Sequence, residues 1–307
     1  MEGSFAGFFA HLRGCHQARN LRMLQSPQAD ASQSRVRQLE ITSMFMDTIA
    51  NTTATDWAEP RHFPRYSDQP VLLDVPFEAT DTFLEHSYGI TTSIASMIYS
   101  TNKIWLYTQG LTDIGPLSTE EINDSLAHLA EQLERWAPSS EDYTSFSGAD
   151  AVQMPLMKSL STAIYYATRI YFHSCFRSNS THQNSMPTRL SDLTLMALEQ
   201  SESVRGPTIK AGAPLSWPAF IAACEAPPAL RGRWTHYWQT LLKHQIGTQQ
   251  AAWEIVQEVW RRKEVDEQGG LVMGYEAPVL ATLDSCQVVE PAWISVIRDF
   301  GITIFAY

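Results

Sequence analysis

Apolar side chains recur three and four residues apart along most of this chain, and that spacing limits it to a fold made of helices. Phe5, Phe8, Phe9, Leu12 and Cys15 fall on one helical face within residues 4–24. Leu39, Phe45, Met46 and Ile49 repeat the pattern within residues 34–52, and Asn51-Thr52-Thr53 ends it. From about Asp81, Phe83, Leu84, Ile90, Ile94, Met97 and Ile98 face inward. Ser118-Thr119-Glu120-Glu121 is a capping box, in which Ser118 and Glu121 satisfy each other's backbone N–H. Ile122, Leu126, Leu129, Leu133 and Trp136 follow at helical spacing, and Pro138 closes the element. Residues 153–175 are apolar or aromatic nearly all round, which places that helix centrally. Further helices are expected at 191–204, 217–226, 228–245, 248–263 and after Pro291.

Between these elements, Pro60, Pro64, Pro70 and Pro76 make residues 53–80 a long irregular crossing. Residues 176–188 read as a polar surface loop, and 264–290 have no clear period. The tail from Ile302 to Tyr307 is β-like and apolar and is expected to dock on the body. Strand signals are too few for a sheet core. The expectation is an all-α fold, a single domain over 1–307, with roughly eight to eleven helices packed in antiparallel pairs.

Composition excludes several functions. At 44% apolar and 18% charged residues, the chain is not wholly disordered. With 22 Lys and Arg against 33 Asp and Glu, the net charge is −11, the wrong sign for gripping a phosphate backbone unaided. No apolar window reaches the roughly 18 residues of a membrane span, and the N-terminus lacks the basic start of a secretory signal. Cys15, Cys175, Cys224 and Cys286 are too scattered to close a zinc shell locally and read as reduced, mostly buried thiols.

The search for chemistry finds no nucleotide-binding glycine motif, nucleophile elbow or zinc-protease helix. No catalytic, cofactor-binding or metal-ligating residue is assigned. Gly269-Gly270 to Gly274 reads as a flexible loop. The pairs His11/His16 and His236/His244 are badly spaced for one metal. Trp217, Trp234, Trp238, Trp253 and Trp260 are the most unusual concentration. Large rings of this kind glue adjacent helices together. They can also line a pocket for an apolar ligand, for which Trp234, Trp238, Tyr165 and His236 are the candidates. Arg261-Arg262-Lys263 is short for a nuclear import signal and suits a helix C-terminus, where the dipole favours cations.

Three segments together resemble the fungal-specific regulatory domain of zinc-cluster transcription factors, in the subgroup of the arginine-metabolism regulators. His11-Leu12-Arg13-Gly14-Cys15 is similar to the family's H-L-x-G-A helix. Trp217 to Ala226 resembles its W-P-x-F-I-A-G-x-E-A stretch, with Ala223 in place of the usual Gly. The third is the helix ending at Trp260-Arg261-Arg262-Lys263, followed by the late Trp293. The resemblance implies a nuclear protein controlling metabolic genes, including those of secondary metabolism, through protein partners or a small-molecule effector, with a homodimer among its forms. The family's six-cysteine zinc cluster has no counterpart here, and none of its DNA contacts can be carried over. A gene start placed downstream of the true one would account for that equally. The rival reading is the same scaffold recruited as an enzyme or carrier for an apolar metabolite. The W-P segment has its own rationale: Ser216 is placed to cap, Pro218 suits a first turn, and Phe220, Ile221 and Cys224 share a face.

Overall fold

The computed structural model describes residues 30–55, 61–63, 65–78, 83–141, 143, 153–178, 186–205, 216–244, 246–268, 279–282, 286–301 and 304. The helix expected over 4–24, with His11 to Cys15 and His16, lies outside them, as does the glycine stretch from Gly269 to Gly274. The helices are α1 (Asp30–Asn51), α2 (Phe83–Tyr88), α3 (Thr92–Thr108), α4 (Thr119–Arg135), α5 (Gln153–Cys175), α6 (Met186–Arg205), α7 (Trp217–Cys224), α8 (Pro228–Leu242), α9 (Gly247–Gln268) and α10 (Ala292–Phe300). The fold is all-α, as the periodicity required. Helix α5 packs against α6, α7 and α3, so the segment that was apolar on every side is the central one.

Local chemistry sets the ends of these elements. The Ser118 hydroxyl accepts the Glu121 N–H at 3.2 Å, and the Glu121 carboxylate accepts the Ser118 N–H at 2.8 Å, so the capping box is complete. The stretch expected as one helix from about Asp81 is two: Leu84 lies on α2, Ile94, Met97 and Ile98 on α3, and Ile90 in the link between them, all buried. Gly89, at φ +68°, ends α2, and its N–H reaches the Glu85 carbonyl at 2.9 Å.

Three short strands were not expected. β1 (Phe176–Ser178) continues directly from α5, and β2 (Val279–Thr282) and β3 (Cys286–Val289) precede α10. They pair antiparallel in the order β1-β3-β2, with Phe176 opposite Val288. The start of the expected surface loop is therefore an edge strand, and Phe176 and Val288 are buried. Strands of three or four residues are too short to display alternation, which is why their spacing carried no signal.

The proline-rich crossing is held by two carboxylates and a lysine. Asp74 accepts from the Tyr66 N–H and the Ser67 hydroxyl, both at 2.7 Å. Asp113 accepts from Phe63 N–H and binds His62. Arg61 pairs with the segment after α3 through its N–H to the Leu111 carbonyl at 2.7 Å. Lys103 of α3 donates to the Asp74 carbonyl at 3.0 Å and lies over the rings of Phe63 and Tyr99. The crossing thus lies pinned on α3, with Leu72 and Phe77 buried beneath it.

Gly89 and Gly110 provide a paired test of backbone strain. Both have positive φ, but a Cβ on Gly89 would meet Leu160 Cβ at 3.0 Å, whereas one on Gly110 would meet nothing. Gly110→Ala should cost about 1–2 kcal/mol of left-handed strain. Gly89→Ala should cost more, because packing adds to the strain. Urea unfolding of both variants checks the order.

Candidate functional site

The segment with the most specific pattern folds as α7, and every residue from Trp217 to Cys224 is buried. Its apolar faces therefore cannot be divided into inside and outside. Trp217 donates its indole N–H to the Thr52 hydroxyl at 2.9 Å, and Pro218 occupies the first turn. Ser216 does not cap the helix through its side chain. Its own φ and ψ are already helical, and its carbonyl accepts the Phe220 N–H at 2.9 Å. The expected cap fails because a cap residue needs an extended backbone to turn its side chain onto the first N–H groups.

The C-terminal end of α7 is satisfied from outside. A helix leaves its last carbonyls without intrahelical donors. Here three side chains from two other helices supply donors. Ser191 of α6 donates to the Ala222 carbonyl at 2.7 Å, and Trp260 of α9 to Ala223 at 2.7 Å. Lys263 of α9 donates to Cys224 at 2.9 Å. Lys263 also binds the Glu225 carboxylate at 2.8 Å. Trp234 of α8 donates to the same Ser191 hydroxyl at 3.0 Å, which ties α8 into the relay. The segment ending in Trp260 and Lys263 is what completes the W-P helix. Ser191 gave no sequence signal, because a serine within a helical run has no pattern of its own.

The basic run is not at a helix end. Helix α9 continues to Gln268, so the dipole explanation does not apply. Arg261 and Arg262 bind Glu258, Arg262 also reaches Asp299 of α10 at 2.7 Å, and Lys263 holds Glu225. The Arg261 guanidinium, helped by Arg262, holds the Glu258 carboxyl down to about 2. Arg261 pairs within α9, while Arg262 joins α9 to α10 and Lys263 joins α9 to the end of α7.

The tryptophans lie in the core. Trp238 and Trp253 stack with ring centroids 5.6 Å apart, and Trp253 meets Trp260 edge-on at 5.4 Å. Of the candidate pocket residues, Trp234 and Trp238 lie on α8 and are fully buried. Tyr165 lies on α5, its ring tilted against that of Trp136 with centroids 4.2 Å apart, and its hydroxyl donates to the Leu133 carbonyl. His236 is exposed on α8. Trp234 meets Tyr237 edge-on and Trp238 meets Trp253, while Tyr165 and His236 have other surroundings. A cleft of about 360 Å³ opens beside Met154, Lys158 and Gln200, and none of the four candidates lines it.

Cys175, Cys224 and Cys286 are buried and form no disulfide among the described residues, and burial pushes the thiols of Cys175 and Cys224 well above their usual range. Cys15 lies outside the described residues. Lys103 is 0% exposed, and burial brings its ammonium down to about 8 despite the opposing charge of Asp74. A lysine inside the run from Ile94 to Leu106 was the available clue to a buried cation.

These contacts define an all-α domain organised around one buried helix whose end is closed by side chains from its neighbours. The chain belongs to the fungal specific transcription factor domain family, whose model matches residues 3–307. No curated protein and no solved structure matches it. Membership supports a transcription-regulator-like role, and no helix among the described residues is long and apolar enough to cross a membrane.

Two measurements test this account. Trp217→Phe keeps a ring but removes the donor to the Thr52 hydroxyl, which retains its own bond to the Ile49 carbonyl, and should cost about 0.5–1.5 kcal/mol. Trp217→Ala should cost about 3–5 kcal/mol by opening the core. Denaturant titration reads both. For Lys103, the unfolded chain keeps its proton up to about 10.5 while the folded protein releases it near 8. The unfolded state then binds more protons in that window, so stability should rise with pH between the two values. Lys103→Met should lack that rise, as pH-dependent unfolding of both proteins will show.

Proposed function

We propose that this chain works as one regulatory unit over residues 1–307, acting in the nucleus on metabolic genes, secondary metabolism among them, through protein partners or a small effector. The match to the fungal specific transcription factor domain over residues 3–307 carries this reading. The supporting physical observation is where the most specific segment went. The W-P helix is spent on packing, with Trp217 held by Thr52 and its last carbonyls met by Ser191, Trp260 and Lys263, which suits a contact domain more than a reaction site. The surplus of acidic residues agrees with a protein that reaches DNA through something else.

A reporter assay tests the reading. Fused to a heterologous DNA-binding module, the full chain should change reporter expression at that module's site in fungal cells. An unaltered reporter, with the fusion present in the nucleus, would overturn the proposal. The chain alone should give no sequence-specific shift in a gel titration at moderate salt. A tight specific complex would instead assign it direct DNA recognition.

A further inference from the structure

The cleft of about 360 Å³ lies where α5 packs on α6. It is lined by Met154, Pro155, Lys158, Ser159 and Thr162 of α5 and by Gln200 of α6. Met154, Lys158 and Thr162 stand one turn apart, with Pro155 and Ser159 in the next row, so together they form one face of α5. Pro155, Lys158 and Gln200 are exposed, which opens the cleft to solvent, and Ser159 is buried. The volume lies within the roughly 300–1,000 Å³ of pockets that hold small molecules.

The charge of this cleft has one sign. Lys158 is the single ionisable residue that lines it. Its ammonium lies 5.6 Å from the centre of the Tyr143 ring, which attracts the positive charge without neutralising it. Among the described residues no carboxylate pairs with Lys158, although the chain has 33 acidic residues against 22 basic ones. The Ser159 and Thr162 hydroxyls donate to the carbonyls of Pro155 and Lys158 at 3.0 and 2.7 Å, so their protons are already used. The side-chain donors left for a ligand are the Lys158 ammonium and the Gln200 amide. Met154 and Pro155 supply the apolar wall, and a thioether makes favourable contacts with aromatic rings.

We propose that this cleft binds a small aromatic monocarboxylic acid, its carboxylate on Lys158 and Gln200 and its ring against Met154 and Pro155. A carboxylate accepts from both donors, and its bond to the ammonium is charge-assisted. One cation balances one carboxylate, and no second cation lines the cleft to meet a phosphate dianion. Met154 and Pro155 stand in the first turn of α5, where the helix dipole also favours an anion. As the small effector of the proposed function, such an acid rests on that reading; its binding does not.

Titration of phenylacetate into the full chain, labelled with ¹³C at its methionine methyls, tests the site by nuclear magnetic resonance. Met154→Leu identifies the Met154 signal by its absence. That signal should shift saturably with the acid, while those of the core residues Met44 and Met97 stay in place. Lys158→Gln, a change at an exposed position, should retain the circular dichroism of the unaltered chain and weaken binding about tenfold. Phenethyl alcohol, which has the same ring without the charge, provides a second reading on the unaltered chain and should bind more weakly than the acid. Equal affinity in Lys158→Gln, equal affinity for acid and alcohol, a shift shared by all methionine signals, or no saturable shift at millimolar acid would overturn the proposal. A reporter fusion that stays silent while the acid binds would count against the regulatory reading alone.

Discussion

The end of α1 is the point on which the remaining packing depends. Thr52 accepts two indole N–H groups there, Trp217 on its hydroxyl at 2.9 Å and Trp293 on its carbonyl at 3.2 Å. The adjacent Thr53 hydroxyl donates to the Ile304 carbonyl at 2.7 Å. A helix terminus leaves backbone carbonyls that must find donors if the end is buried. Here the carbonyls of Ile49 and Ala50 are met by Thr52 and Thr53 themselves, and residues drawn from the middle and the far end of the chain bind those two threonines. The first described helix, the W-P helix and the tail are thereby made one core, and disturbing Thr52 disturbs all of them. Ile304 is buried, so at that residue the tail docks as expected.

The opposite end of the same core obeys the same rule. The carbonyls of Ala222, Ala223 and Cys224 receive a hydroxyl, an indole and an ammonium. A short helix can be buried whole only if its polar ends are met in this way. Of the distinctive residues of the family-like pattern, Trp260 and Lys263 meet that end together with Ser191, while Trp217 and Trp293 donate to Thr52. Their pattern therefore records a packing solution, and the regulatory role follows from family membership.

Charge follows a similar logic. Glu258 gathers Arg261 and Arg262, and Arg262 and Lys263 extend the network to α10 and to the loop after α7. Exposed ion pairs taken singly contribute little. Here they set the register between helices that already share an apolar interface. Lys103 is different, since its ammonium is buried under the proline-rich crossing and its hydration is replaced by one carbonyl and two ring faces.

Helix identity was legible in the sequence because a 3.6-residue period and capping chemistry are local properties. The Ser118 box, the proline-rich crossing and the central place of residues 153–175 could all be read from neighbours in the chain. The strands could not, because three or four residues are too few to show a period and their pairing joins Phe176 to Val288. Nor could the single helix expected from Asp81 be divided without knowing that Gly89 lies against Leu160. The candidate site divides in the same way. That the tryptophans would be buried was readable from their spacing. That Trp234 would find Ser191 and that Trp260 and Lys263 would close α7 was decided only by the tertiary structure. Spacing specifies which face of a helix turns inward, but a hydrogen-bond partner is chosen by which helices meet.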